Sequence, residues 1–215
     1  MQSTRKRRAP FPAKRARTTP RQQYIPRRYT PSIRPESKFV DVNLPLAANT
    51  TGAFQLLNPS QPGTGAGQRI GMKVSLTSVE LRHQNYCTVT TGMTQLHRVI
   101  IVLDTQPNGV ALALLQVLVA VDVYSPKTLA NRNRFRLLSD KVVQVGSYLQ
   151  SNCRVYSHTY IKFRKPIIVE FNNGVAGTIG DIVNNAIFVI LIGSEPAGAT
   201  AGTMYGYSRI RYTDV

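Results

Sequence analysis

Four residues could hold a metal ion on composition alone. His83 and Cys87 stand in an H-x3-C spacing and Cys153 and His158 in a C-x4-H spacing, the residue types of a Cys2His2 zinc site. On extended chain, however, Cys153 and His158 differ in parity and point to opposite faces. Thiols buried in a core are therefore the better reading, and no metal or other cofactor is expected. Other catalytic chemistry has little to draw on. The chain holds three histidines and lacks a GxSxG elbow or an HExxH helix. Its acids, such as Asp104, Asp122, Asp140 and Asp181, are scattered singly, so an enzyme is not expected. The glycine-rich GTGAG at 63–67 lacks the following GK[ST] of a phosphate-binding loop.

Cationic and aromatic residues are patterned instead. From Arg154 to Arg164 the even positions are Arg154, Tyr156, His158, Tyr160, Lys162 and Arg164, while Val155, Ile161 and Phe163 occupy odd ones. As a strand, this segment shows one face of interleaved cations and rings. Such a face holds single-stranded nucleic acid through phosphate pairing and base stacking, and a subunit contact or a solvated face fits the same residues. Arg132, Arg134 and Arg136 fall on one face of a second predicted strand, and Arg209 and Arg211 follow Tyr205 and Tyr207 on a third. Rows of arginine do not sit unpaired in an interior; they need solvent, a neighbour's carboxylates or phosphates.

The strongest charge signal lies at the amino end. The first 38 residues hold twelve Lys/Arg and one acid, whereas the remaining 177 hold fifteen bases and nine acids. A +11 arm thus precedes a body of +6. Six prolines and few aliphatic side chains leave residues 1–37 unable to offset their ordering entropy, so a disordered arm is expected. Arginine outnumbers lysine nine to three over the first 38 residues, which favours phosphate contact through the guanidinium fork. The expected nucleic-acid contacts are Arg5, Lys6, Arg7, Arg8, Lys14, Arg15, Arg17, Arg21, Arg27, Arg28 and Arg34. The clusters Arg5, Lys6, Arg7, Arg8 and Lys14, Arg15, Arg17 also suit a nuclear-import signal read by host import machinery. No lipidation motif or apolar h-region accompanies them. The apolar run 110–121 is too short to cross a bilayer, so no membrane insertion is expected, and the protein is read as soluble and intracellular when made.

The body must then position these groups. Strands are predicted over 38–44, 70–86, 96–104, 131–145, 154–164, 167–171, 185–192 and 203–212, between clusters of Gly, Pro and Asn. A change of parity near Thr77 and Ser78 suggests a bulge. A short helix is expected over 111–118, although alternating valines through Val123 leave a strand open there. Eight main strands without helix–strand alternation argue for an all-β domain over 38–215. An eight-stranded antiparallel jelly roll with a short helical insertion fits the count and the uneven loops. An immunoglobulin-like sandwich lacks its buried Trp, since the chain has none.

Two segments carry a resemblance. Arg69–Arg82 opens as R-x-G-x-K followed by alternating apolar residues, and Asn131–Lys141 reads N-R-x-R-F-x-L-L-x-D-K. In this order, behind an Arg-rich arm, they resemble segments of the single-jelly-roll capsid proteins of small circular single-stranded DNA viruses, the circovirus- and geminivirus-related group. Capsid proteins of small satellite RNA viruses are the runner-up. The resemblance implies an icosahedral shell of about sixty self-associated copies, an arm turned inward onto a single-stranded genome with DNA favoured over RNA, and a virion that passes through the host nucleus. A non-viral nucleic-acid-binding β-barrel and a jelly-roll lectin are the rivals. Sixty arms of +11 supply about 660 charges, fewer than a genome of a kilobase or more needs, so body cations are expected to contribute. The candidates are Arg132, Arg134, Arg136, Arg154, Tyr156, Tyr160, Lys162 and Arg164.

Overall fold

The chain is described from a computed structural model that covers residues 36–87, 94–147, 153–198 and 201–215. The expectations for the arm, Arg5 to Arg34, lie outside these residues. Period-2 alternation of apolar residues dictates strands, and the strands arrange themselves in two antiparallel sheets. Sheet A has the order β1 (Lys38–Asn43), β10 (Gly202–Asp214), β4 (Lys73–Tyr86), β7 (Arg154–Phe171) and β8 (Ile182–Asn184), with β2 (Leu46–Ala48) also on β10. Sheet B has the order β3 (Ala53–Leu56), β9 (Ala186–Gly193), β5 (Gln95–Asp104) and β6 (Phe135–Val145).

β1 and β2 are two pieces of one edge. Both pair with β10, and Pro45 between them has no N–H to give to a ladder. Taken together they leave eight principal strands plus the short β8. The chain passes from sheet A to sheet B at β3, back at β4, to B for β5 and β6, to A for β7, to B for β9 and to A for β10. This is the antiparallel jelly roll. Leu76, Val79, Leu81, Val169, Met204 and Ile210 of sheet A are buried in one apolar cluster with Ile101, Leu103, Phe188 and Ile190 of sheet B.

The parity change in β4 is a bulge. Leu76 pairs with Ile167 and Ser78 with Lys162, which leaves Thr77 unpaired on β4 and Phe163–Pro166 unpaired on β7. The bulge explains why 154–164 and 167–171 are one strand instead of the two expected: Pro166 falls where no ladder hydrogen bond is required. Thr77 uses its hydroxyl to donate to the Arg211 carbonyl, at 3.0 Å.

The insertion between β5 and β6 contains α1, Leu114–Val117, a single turn in place of the expected 111–118 helix. It is cut short because Leu118 is extended and forms an antiparallel bridge with Lys127, and the valine-rich second half bends back through a turn at Val123 and Tyr124. β6 begins at Phe135, later than expected, because the amides of Arg134 and Phe135 both donate to the Asn131 carbonyl at 3.0 Å and close a turn. Among the described residues no helix is long and apolar enough to cross a membrane.

Candidate nucleic-acid interface

Residues paired directly across an antiparallel sheet share a face. The registers of β10, β4 and β7 therefore assemble the outer surface of sheet A row by row. Tyr205, Gln84 and Tyr156 form one row; Tyr207, Arg82 and His158 the next; Arg209, Glu80 and Tyr160 a third; Arg211, Ser78 and Lys162 a fourth. β1 extends the third row with Asp41 and the fourth with Phe39. The even residues of β7 from Arg154 to Arg164 are all exposed, as the alternation implied, with Tyr156 at 74% exposure. Tyr205 and Tyr207 stand edge to face, 6.1 Å between ring centroids.

Two carboxylates organise the charge. Glu80 accepts from Arg82 Nη2 at 2.6 Å and from Arg211 Nη2 at 2.9 Å, and His158 Nε2 lies 3.3 Å away. The hydrogen bonds from Arg211 and Arg82 outweigh desolvation and hold the Glu80 carboxyl down at about 2. Asp41 takes a bidentate pair from Arg209, whose guanidinium lies 4.4 Å over the Phe39 ring. Arg154, Lys162 and Arg164 have no carboxylate partner among the described residues. Around these rows the surface thus sets six cations (Arg82, Arg154, Lys162, Arg164, Arg209, Arg211) against Asp41 and Glu80, while beyond the bulge Lys73 and Glu170 pair with each other at 2.7 Å.

The second arginine group does not come together. Arg132 and Arg134 belong to the turn before β6, and only Arg136 is on the strand; Arg132 and Arg136 are exposed. Arg134 is half-buried and committed to a carboxylate of its own domain. Its Nε and Nη2 both lie 2.8 Å from the fully buried Asp104 carboxylate, and its guanidinium sits 4.7 Å from the centroid of the Phe135 ring. Removing Arg134 from the expected row is a correction with a plain cause: a buried carboxylate needs a partner, and Arg134 supplies it. The Cys2His2 set is not brought together either. His83 pairs with Ser157 and Gly206 and faces the core, whereas His158 faces outward, and Cys87 and Cys153 are not disulfide-bonded. Burial, with a smaller contribution from Lys141, pushes His83 down to about 4. Arg82 escaped the sequence reading, although polar residues at every even position from Ser78 to Tyr86 mark the outward face of β4 beyond the bulge.

A family model described as Satellite tobacco necrosis virus coat protein matches residues 21–215. The chain belongs to this coat-protein family. The coat protein is 28% identical over 173 residues to the "Coat protein" of Maize white line mosaic Satellite virus, covering 79% of this chain and 77% of that one. Similar solved structures include Desmodium yellow mottle tymovirus, 8% identical with a TM-score of 0.34, covering 84% of this chain and 89% of the other. The unassembled KI Polyomavirus VP1 pentamer is 11% identical with a TM-score of 0.27, covering 82% and 93%.

The coat protein is a structural, non-enzymatic component of the virion. Its family is the satellite group, not the circular single-stranded DNA viruses to which the two segments pointed first. The structure shows why those segments do not discriminate. Arg69 is buried, donating to the carbonyls of Ser60 and Gly174, and Arg134 holds Asp104. These arginines of the two motifs thus serve the folding of the domain.

Proposed function

We propose that this coat protein closes into a shell of about sixty copies around a single-stranded RNA genome, with its basic arm as the main phosphate contact. The observation that carries the reading is charge segregation in a coat protein: +11 of the net +17 lies in the first 38 residues. Arg5, Lys6, Arg7, Arg8, Lys14, Arg15, Arg17, Arg21, Arg27, Arg28 and Arg34 neutralise phosphates and release counterions. RNA replaces DNA as the favoured genome because the family is a satellite-virus one. The two basic clusters are accounted for by phosphate binding alone, and a nuclear stage has no support beyond them. The exposed cations of sheet A add to the arm, and Arg132 and Arg136 remain candidates for the same role.

Purified full-length protein should form closed particles in electron microscopy, and nucleic acid recovered from them after expression should be sensitive to ribonuclease. If about six to ten arm cations meet phosphates, affinity for single-stranded RNA falls about 10³–10⁵-fold between 50 and 200 mM salt. A form starting at Glu36 should still assemble and should show a much shallower slope. Equal slopes with and without the arm would move the principal contact onto the shell domain. A strictly monomeric product under all salt and pH conditions would defeat the shell.

A further inference from the structure

The tyrosine end of sheet A is shaped as well as charged. Two neighbouring rows, Tyr205–Gln84–Tyr156 and Tyr207–Arg82–His158, wall an open groove of about 660 Å³ that runs across β10, β4 and β7. Between these rows the strands turn their side chains inward, and at Gly206 no side chain exists to turn. A Cβ there would lie 2.2 Å from the Arg82 carbonyl oxygen and 2.6 Å from His83 Cα. The close approach of the strands therefore requires glycine at this inward-facing position.

Resting on the packaging reading above, we propose that this groove is a nucleobase slot for single-stranded nucleic acid. Its walls present aromatic rings from two strands, which stack on any base because every base has a π-face. Phosphate contacts lie at its borders. Arg154 stands one row beyond Tyr156 on β7, exposed and with no carboxylate partner among the described residues. Arg82 gives Nε and Nη2 to Glu80, at 2.7 and 2.6 Å, which fixes the guanidinium plane and leaves its Nη1 donors for an incoming oxygen. Charge selects the occupant: across these rows six cations stand against two carboxylates, which suits a polyanion, whereas the same face of a second copy would set cation against cation.

The test uses full-length protein in about 0.5 M salt, where the Debye length falls to a few ångströms and the arm's attraction is screened. The probes are a single-stranded oligoadenosine decamer and inorganic polyphosphate, which has the charge without the bases. Tyr156→Ala with Tyr207→Ala should weaken decamer binding about 10–100-fold and leave polyphosphate binding unchanged. Tyr156→Phe with Tyr207→Phe, which keeps both rings, should bind the decamer as the unaltered protein does. Decamer affinity that survives the alanine pair overturns the slot while leaving arm-driven packaging, read from the low-salt slope, intact. Loss of assembly in the alanine pair with unchanged decamer affinity also overturns it, because the tyrosines would then face a neighbouring subunit. No decamer binding by the unaltered protein at any salt removes the packaging reading and the slot together.

Discussion

Outward side chains of β5 and β9 in sheet B meet the protein's own insertion, 105–134, whereas the even residues of β7 in sheet A stand exposed from Arg154 to Arg164. Arg98 shows the first case. It points outward from β5, yet it is buried, giving Nε and Nη2 to Asp140 at 2.9 and 2.7 Å and Nη1 to the carbonyl of Val123 at 3.2 Å. Ile192, its partner on β9, packs near Leu114 and Val121 of the insertion around Gly52. β9 is consequently buried on both faces. On sheet A, Arg154, Lys162 and Arg164 have no such partner, and Tyr156 and Tyr160 stand in the open. Where a cation is matched by a carboxylate and covered, it belongs to the fold; where it is left unmatched on a bare sheet, it is available to a partner. The same residue type does both, and only the packing around it tells them apart.

Arg134 gives the largest effect that separates the two classes. Arg134→Ala strands the buried Asp104 carboxylate and should cost about 3–5 kcal/mol in chemical denaturation. Its RNA salt slope, measured on folded protein, should not change. Replacing the pair together, Arg134→Met with Asp104→Leu, should recover most of the stability, since the uncompensated charge is gone. A slope that falls with Arg134→Ala at unchanged stability would return this arginine to the genome-binding set.

Acid sharpens the contrast by titrating the interior and the bare face in different windows. Burial holds His83 and His97 neutral, each with a pKa of about 4 against 6.5 in the unfolded chain. The unfolded state binds their protons first, so stability is complete above pH 6.5 and declines as pH falls toward 4, by up to about 3 kcal/mol for each histidine. Glu80 behaves as the opposite kind of group. Its carboxyl sits at about 2 against 4.5, so the contribution of its arginine cluster is kept above pH 4.5 and is lost as pH falls through 2. Thermal melts should therefore drop between pH 6.5 and 4 while sheet A keeps its charge network. His97→Gln should remove about half of that decline, His83 keeping the rest, and leave the lower window alone; an unchanged profile would mean that His97 titrates normally.

Local pattern was legible wherever one strand sufficed to show it. The exposed even face of β7 and the bulge at Thr77 both follow from parity, because a strand's side chains alternate whatever lies beside it. The slot was not legible, since Tyr156 and Tyr207 are far apart in the chain and become neighbours only through β4 between them. Arg134 misled for the same reason: its partner Asp104 is 30 residues earlier, and a row of arginines every second residue looks like a strand until the Asn131 turn is known. The short insertion helix was half right. Ala and Leu started the turn, and a tertiary bridge from Leu118 to Lys127 ended it.

The smallest effect is the most direct test of unmatched cations. Arg154→Ala, Lys162→Ala and Arg164→Ala together should lower the salt slope for single-stranded RNA by about 2, if each meets one phosphate. Exposed and without carboxylate partners, they should change stability by no more than about 0.5 kcal/mol each. Arg132→Ala with Arg136→Ala supplies the comparison, because these two are also exposed but lie at the β6 side, away from the sheet A surface. A slope that moves only with the first set assigns the bare sheet to the genome. A slope that moves in proportion to charge removed from either set would mean that RNA senses the net charge of the shell domain, and the distinction between the two sheets would then be one of folding alone.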